Sequence, residues 1–259
     1  MDLGISGRTA IVCASSKGLG RGCAQALAEA GCTVVINGRD GTTLEETARQ
    51  IRSSTGTTVI PVVADVSTQA GQDALLAAAP EPDILVNNNG GPPPKGFRDV
   101  SREALLEGVV QNMATPLELV QRVVDGMIAR GFGRIVNITS ASVLTPLPGL
   151  DVSSAACAGL TAFLSGVARE VAHANVTINN ILPGMFDTDR LKGGLTKMAA
   201  MKGISVAEMA EARRADVPAG RFGEADEFGR LCAFLASAHA GYITGQNILI
   251  DGGAFRGSF

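Results

Sequence analysis

The segment CASSKGLG, residues 13–20, could do chemistry through its spacing alone. It follows the apolar run TAIV and opens into a helical pattern. A glycine-rich turn at the start of a helix aims successive backbone N–H groups and the positive helix end at one point, which is the chemistry of pyrophosphate binding. Gly18 and Gly20 would let the backbone approach where a Cβ would collide. A strand–turn–helix joint also needs glycine for its own geometry, so the turn takes its meaning from what surrounds it. Little else announces a reactive centre by type and spacing. His173 and His239 lie far apart and the five cysteines (13, 23, 32, 157 and 232) form no Cys-x-x-Cys pair, so no metal-ligand cluster is expected.

The elements that must carry the turn follow from periodicity. Strand-like runs occupy residues 9–14, 33–37, 58–63, 84–87, 134–139, 177–182 and 247–250. Helical patterns lie between them, at 19–30, 43–53, 69–79, 102–130, 154–174 and 225–236. Strands alternating with helices imply βαβ crossovers, hence a parallel sheet covered on both faces. Runs such as ILV and RIVNIT suit strands buried on both sides. The expected fold is therefore α/β, a Rossmann-like doubly wound parallel sheet of about seven strands, forming a single domain over 1–259. Two stretches break the rhythm: GGPPPKGF at 90–97 and the charged, poorly periodic segment 185–218. Both should emerge beyond the carboxyl ends of the strands, where ligands bind in such sheets. The longer one reads as a substrate lid or as a variable surface loop.

Composition bounds the rest. The 259 residues are 46% hydrophobic and 18% charged, with 32 glycines, no Trp and a net charge of −3. That is globular rather than disordered. No basic cluster is present to neutralise a nucleic-acid backbone. No apolar stretch is expected to span a bilayer, the N-terminus lacks signal-peptide features, and the odd cysteine number points to a reduced, cytoplasmic protein.

Several segments together resemble the short-chain dehydrogenase/reductase family, and within it members of the 3-oxoacyl-acyl-carrier-protein reductase type. CASSKGLG resembles the family's TGxxxGxG turn, with Cys13 and Ala14 in place of the Thr and first Gly. Asn87, Asn88, Asn89 and Gly90 resemble its NNAG, and Asp65-Val66 its adenine-contacting pair. Asn112, Ser140, Pro183-Gly184 with Thr188, and YITGQNILIDGG at 242–253 fall in the same order as in the family. The resemblance implies cofactor contacts from Ser16, Lys17, Gly18, Leu19, Gly20, Arg39, Asp65, Val66, Asn87, Asn89, Gly90, Pro183, Gly184 and Thr188. It implies catalytic roles for Ser140 and Asn112, and a homodimer or homotetramer. The second strand ends Asn37-Gly38-Arg39 with no carboxylate before Asp40. Arg39 and Lys17 would suit the 2′-phosphate of NADP(H) where an acid would favour NAD(H); the bland alternative is that both are solvated surface cations.

One departure stands out. The family's reaction relies on a Tyr thirteen residues after the Ser, and on a Lys four further along. Counting from Ser140 reaches Ser153 and Cys157, followed by a family-like Ala158-Gly159-Leu160. The one Tyr in the chain, Tyr242, belongs to the C-terminal segment. Ser153 is expected to bind or relay, and Cys157 is either a small core residue or, less simply, an ionisable thiol. The leading expectation is an NADP(H)-dependent oxidoreductase acting on a carbonyl or alcohol with an atypical proton donor: a water held by Asn112 and Ser140, or a lid residue such as Lys192 or Asp187. The alternatives are a non-redox enzyme of the lyase or isomerase type, and an inactive nucleotide-binding or regulatory protein.

Overall fold

The computed structural model describes residues 1–257. Seven strands form one sheet: β1 (Thr9–Val12), β2 (Thr33–Gly38), β3 (Val59–Val63), β4 (Ile84–Asn87), β5 (Gly133–Ile138), β6 (Val176–Pro183) and β7 (Asn247–Ile250). All neighbours are parallel and the order is β3-β2-β1-β4-β5-β6-β7. The chain reverses its direction of growth between β1 and β4, the switch point at which open α/β sheets bind ligands.

Strand alternation sorts side chains into two cores. Val12, Val34, Ile36, Ile84 and Val86 face one side, where they meet Leu27 of α1 (Gly18–Glu29), Leu44 and Ile51 of α2 (Gly41–Thr55), and Phe228. Ile11, Val35, Leu85 and Ile135 face the other. There they meet Leu75 of α3 (Gln69–Ala78), along with residues of the later helices. Burial on both faces explains why the strands read as continuous apolar runs.

Three features depart from the expectations. First, the helix expected over 102–130 is α4 (Arg102–Val109), a π-turn (Val110–Ala114) and α5 (Thr115–Arg130). Second, residues 185–218 are not irregular: they hold α7 (Asp189–Lys202) and α8 (Val206–Ala215). Leu195, Ala199, Met209 and Phe222 give this unit a small core of its own. Ser205 and Glu208 form a reciprocal cap that starts α8. Third, α6 (Asp151–Val171) with its 3₁₀ extension to Ala174 is long and apolar enough by length and composition to cross a membrane, contrary to expectation. Its Leu160, Leu164 and Ala168 are nevertheless buried in the second core. The last helix, α9 (Ala225–Leu235), lies against α1, where Gly22 and Gly229 let the two backbones touch.

An asparagine ladder ties together the half of the sheet beneath the site. Asn87 Nδ2 donates to Asn137 Oδ1 at 2.9 Å, Asn137 Nδ2 to Asn180 Oδ1 at 2.9 Å, and Asn180 Nδ2 to Asn247 Oδ1 at 2.8 Å. These four residues are register partners across β4, β5, β6 and β7. Buried amides need partners, and here each supplies the next, while Asn87 Oδ1 at the head of the ladder has none among the described residues.

Candidate active site

Every element of the site emerges at the carboxyl ends of the strands. The turn after β1 is tight: Ala14 adopts a φ of 43°, a left-handed conformation that normally belongs to glycine. Its carbonyl accepts from Asn88 Nδ2 at 3.0 Å, and its N–H donates to Asn37 Oδ1 at 3.3 Å. A Cβ on Gly20 would stand 2.5 Å from the Ala14 carbonyl oxygen and 2.8 Å from Asn88 Nδ2. Gly18 has a φ of +56° and faces the Thr188 side chain. No side chain caps α1 and no acid sits in its first turn, so its N–H groups and positive end remain free for an anion. A dinucleotide pyrophosphate fits this cradle.

Around it, Arg39 Nη1 lies 3.9 Å from Asp65 Oδ2, and Lys17 Nζ 3.9 Å from Asp189 Oδ2, both exposed and loosely paired. Hydrogen bonds from Ser67, helped by the Arg39 charge, hold the Asp65 carboxyl below its ordinary range. Asp40 is spent on capping α2 through Thr43 N at 2.7 Å. Ser16 borders Gly38 and accepts a bond from Thr47 through its carbonyl. Leu19 packs on the first core, and Val66 is buried in the second. Asn89 Nδ2 reaches the Gln111 carbonyl in the π-turn at 3.1 Å, while its Oδ1 accepts from Gly90 N. Gly184, after Pro183 at the end of β6, lies where a Cβ would sit 2.6 Å from the Asp251 Cβ. Thr188 caps α7 through Leu191 N. Asn87, expected among the cofactor contacts, is placed differently: its amide is buried in the ladder and against the Pro116 carbonyl, because its side chain points into the sheet.

On the substrate side, the π-turn brings Asn112 Nδ2 to Ser153 Oγ at 2.9 Å. Close packing makes that reach possible. Gly108 of α4 lies directly against Val152, and a Cβ on Gly159 of α6 would stand 3.0 Å from Met113 Sδ. Since Ser153 Oγ accepts from Asn112, its own proton is free to donate. Ser140, at the end of β5, accepts from Ser142 Oγ at 2.8 Å and Ser142 N at 3.1 Å, which leaves its proton free as well. Among the described residues no hydrogen bond joins Ser140 to Ser153. Cys157 lies one turn beyond Ser153 and is buried. Burial pushes its thiol upward, opposed by the Ser153 hydroxyl and by the charge of Arg190. Lys192 and Asp187 pair with each other at 3.1 Å. Tyr242 is fully exposed. A cleft beside Ser153 is lined by Pro92, Pro93, Lys95, Glu107, Leu150 and Val152 among others.

Sequence reasoning missed Arg190. From the first turn of α7 its guanidinium donates to the Gly90 carbonyl and, at 3.5 Å, to the Pro92 carbonyl. Only the fold brings it there, so no local signal marks it.

The switch-point turn, the free α1 terminus and the polar cluster beyond β5 define a dinucleotide-binding α/β protein with a substrate cleft beside the nucleotide cradle. Residues 13–254 match the family described as enoyl-(acyl carrier protein) reductase. The 3-oxoacyl-[acyl-carrier-protein] reductase FabG of Aquifex aeolicus is 31% identical, over 98% of this chain and all of the relative. The NADPH-dependent reductase BacG of Bacillus subtilis is 30% identical over 97% of this chain and 99% of the relative. The structure of L-sorbose reductase from Gluconobacter frateurii, complexed with NADPH and L-sorbose, superposes with a TM-score of 0.93 at 29% identity, covering 99% of this chain and all of that one. The chain belongs to the short-chain dehydrogenase/reductase family.

Proposed function

We propose that the protein is an NADP(H)-dependent reductase of a carbonyl compound in which Ser153 and Cys157 stand where the family's Tyr and Lys would be. The observation that carries this reading is the convergence of the glycine turn, Lys17, Arg39 and Thr188 at one end of the sheet. Asp40 is spent on capping α2, and the other carboxylates nearby, Asp65 and Asp189, each face one of these cations at 3.9 Å. When bound, the nicotinamide supplies hydride to the carbonyl carbon. The relatives and solved structures described as NADPH-dependent or NADPH-bound support the same cofactor.

The residues of this chain handle the oxygen. Ser140 and Ser153 each present a free O–H, so both can donate to the substrate oxygen. Asn112 fixes Ser153 from behind. A Ser hydroxyl does not survive as an anion near neutrality, so a proton that leaves Ser153 must be replaced at once. Water ordered by Asn112 and Ser140 is the replacement this arrangement favours. The buried Cys157 thiol is raised in the wrong direction for a ready donor.

The unit of α7 and α8 serves as the lid of a single-domain protein. Exposed Phe163 on α6 and Leu105 and Leu106 on α4 support a homo-oligomer through these helices. The five free thiols fit a reducing, cytoplasmic setting.

The test is a fluorescence titration with NADPH followed by its oxidation on a panel of ketones and β-ketoacyl thioesters. Tight binding with turnover of at least one carbonyl is expected. Tight binding with no turnover on any of them would favour a non-redox or regulatory role, the reading that the absent Tyr recommends.

A further inference from the structure

We propose that Arg190 is a substrate-binding cation, and that it makes the cleft selective for carbonyl compounds bearing a carboxylate. The inference rests on the reading of this cleft as a reductase's substrate site and assigns it a substrate class.

The guanidinium stands beside the cleft, where it donates to the carbonyl of Pro92, one of the cleft's lining residues. An ideal Cβ placed on Gly91 would meet Arg190 Nη1 at 3.0 Å, Nη2 at 3.3 Å and Asn112 Nδ2 at 3.5 Å. Arginine and Asn112, the residue that holds Ser153, therefore border one spot, which the missing side chain of Gly91 leaves open. The backbone there has a φ of +67°, a conformation that favours glycine. Arg190 is exposed as a residue, yet the crowding of its guanidinium lowers its pKa, opposed by the nearby Cys157.

Charge partners nearby are already taken. Asp189 faces Lys17, Asp187 pairs with Lys192 at 3.1 Å, and Glu107 across the cleft accepts from Gln111 Nε2 at 3.0 Å. Among the described residues no carboxylate lies within 4 Å of Arg190, whose bonds go to the neutral carbonyls of Gly90 and Pro92. Two of its five N–H donors suffice for those, which leaves donors for a ligand. A guanidinium with no carboxylate partner keeps its planar fork available, and that fork is suited to a carboxylate. The pyrophosphate and 2′-phosphate of the dinucleotide have their own cradle at the α1 turn, Lys17 and Arg39, so the anion left for Arg190 is the substrate's. Pro92, Pro93, Leu150 and Val152 give the cleft apolar walls beside Lys95 and Glu107, and suit an apolar chain beyond the oxo group.

The experiment compares 3-oxooctanoate with its methyl ester by isothermal titration calorimetry on the full-length protein, with and without saturating NADP⁺. Wild type should bind the acid at least about 10-fold more tightly than the ester. Arg190→Gln should cost the acid about 10- to 100-fold, the usual range for a lost charge-assisted hydrogen bond, with the ester changing by no more than about threefold. Arg190→Lys should restore part of the preference. Cys157→Ala should leave the preference within about twofold; a severalfold gain would mean that the thiolate is Arg190's standing anion and would overturn the proposal. Equal binding of acid and ester by wild type, or a preference that persists in Arg190→Gln with an unchanged melting temperature, would also overturn it. Failure of NADP⁺ to bind would instead refute the reductase reading. The measurements made without nucleotide would still decide the role of Arg190.

Discussion

Replacing Gly20 by Ala probes the nucleotide cradle at its tightest point. The new Cβ would stand 2.5 Å from the Ala14 carbonyl oxygen, 2.8 Å from Asn88 Nδ2 and 3.0 Å from the Ser15 Cα, whereas ordinary contact begins at 3.4 Å. The turn must therefore open by almost an ångström. The atoms in the way are mostly backbone, and Ala14 is already in a left-handed conformation. Overpacking of this kind costs about 1–3 kcal/mol, and the Asn88 bond to the Ala14 carbonyl would be weakened with it. For a chain of this size that is a melting temperature lower by roughly 2–12 °C. Turn N–H groups that move back by that distance lose a charge-assisted bond to pyrophosphate, worth about 1.5–3 kcal/mol, or roughly 10- to 150-fold in NADPH affinity. The assay is NADPH fluorescence titration alongside thermal melting. Gly166→Ala is the control, because nothing lies within 4 Å of its Cβ position; it should leave affinity unchanged and stability equal or higher. A Gly20→Ala protein that binds NADPH as tightly as wild type would refute the placement of the pyrophosphate.

Three further outcomes follow from the same geometry. Removing both Lys17 and Arg39 as Ala should weaken NADPH by about 10- to 100-fold while leaving NADH within a few fold, measured by parallel titrations. Asn137→Leu interrupts the ladder, leaving Asn180 Oδ1 without its donor at a cost of about 1–3 kcal/mol and Asn87 Nδ2 with the Pro116 carbonyl alone; the urea midpoint should fall with the m-value unchanged. Glu227, paired with Arg221 and capping α9, has its pKa lowered to about 2, first by the Arg221 hydrogen bonds. A depressed carboxyl stabilises the fold above its unfolded pKa and loses that contribution as pH falls through the folded value. The melting-temperature gap between wild type and Glu227→Gln should thus be full at pH 6, narrow below pH ~4.5 and close near pH ~2.

The sheet was legible because strands buried on both faces carry unbroken apolar runs; 84–87 and 247–250 coincide with β4 and β7 as observed. The α7–α8 unit was not, because Gly193-Gly194 interrupts its pattern and its buried face is only a few residues wide. The π-turn is a shift in backbone bonding that leaves the amphipathic pattern over 102–130 almost intact, yet it aims Asn112 at Ser153. The resemblance of residues 87–90 to the family's NNAG groups Asn87 with the ligand contacts. Only the register with Asn137 shows where its amide goes. The nucleotide turn could be read locally because its residues are contiguous. Arg190 could not, since its partners Gly90 and Pro92 lie about a hundred residues away in sequence.

Hydride transfer from NADPH by a site in which Ser153, Asn112 and Ser140 manage the oxygen leaves an isotopic trace. Its most direct measurement is mass spectrometry of the products formed from carbonyl substrates and NADPH deuterated at the nicotinamide C4. The expected product is an alcohol carrying one deuterium on the former carbonyl carbon, with Ser153→Ala lowering its yield by at least about 10-fold. Unlabelled product, or no alcohol while NADPH stays tightly bound, would contradict it.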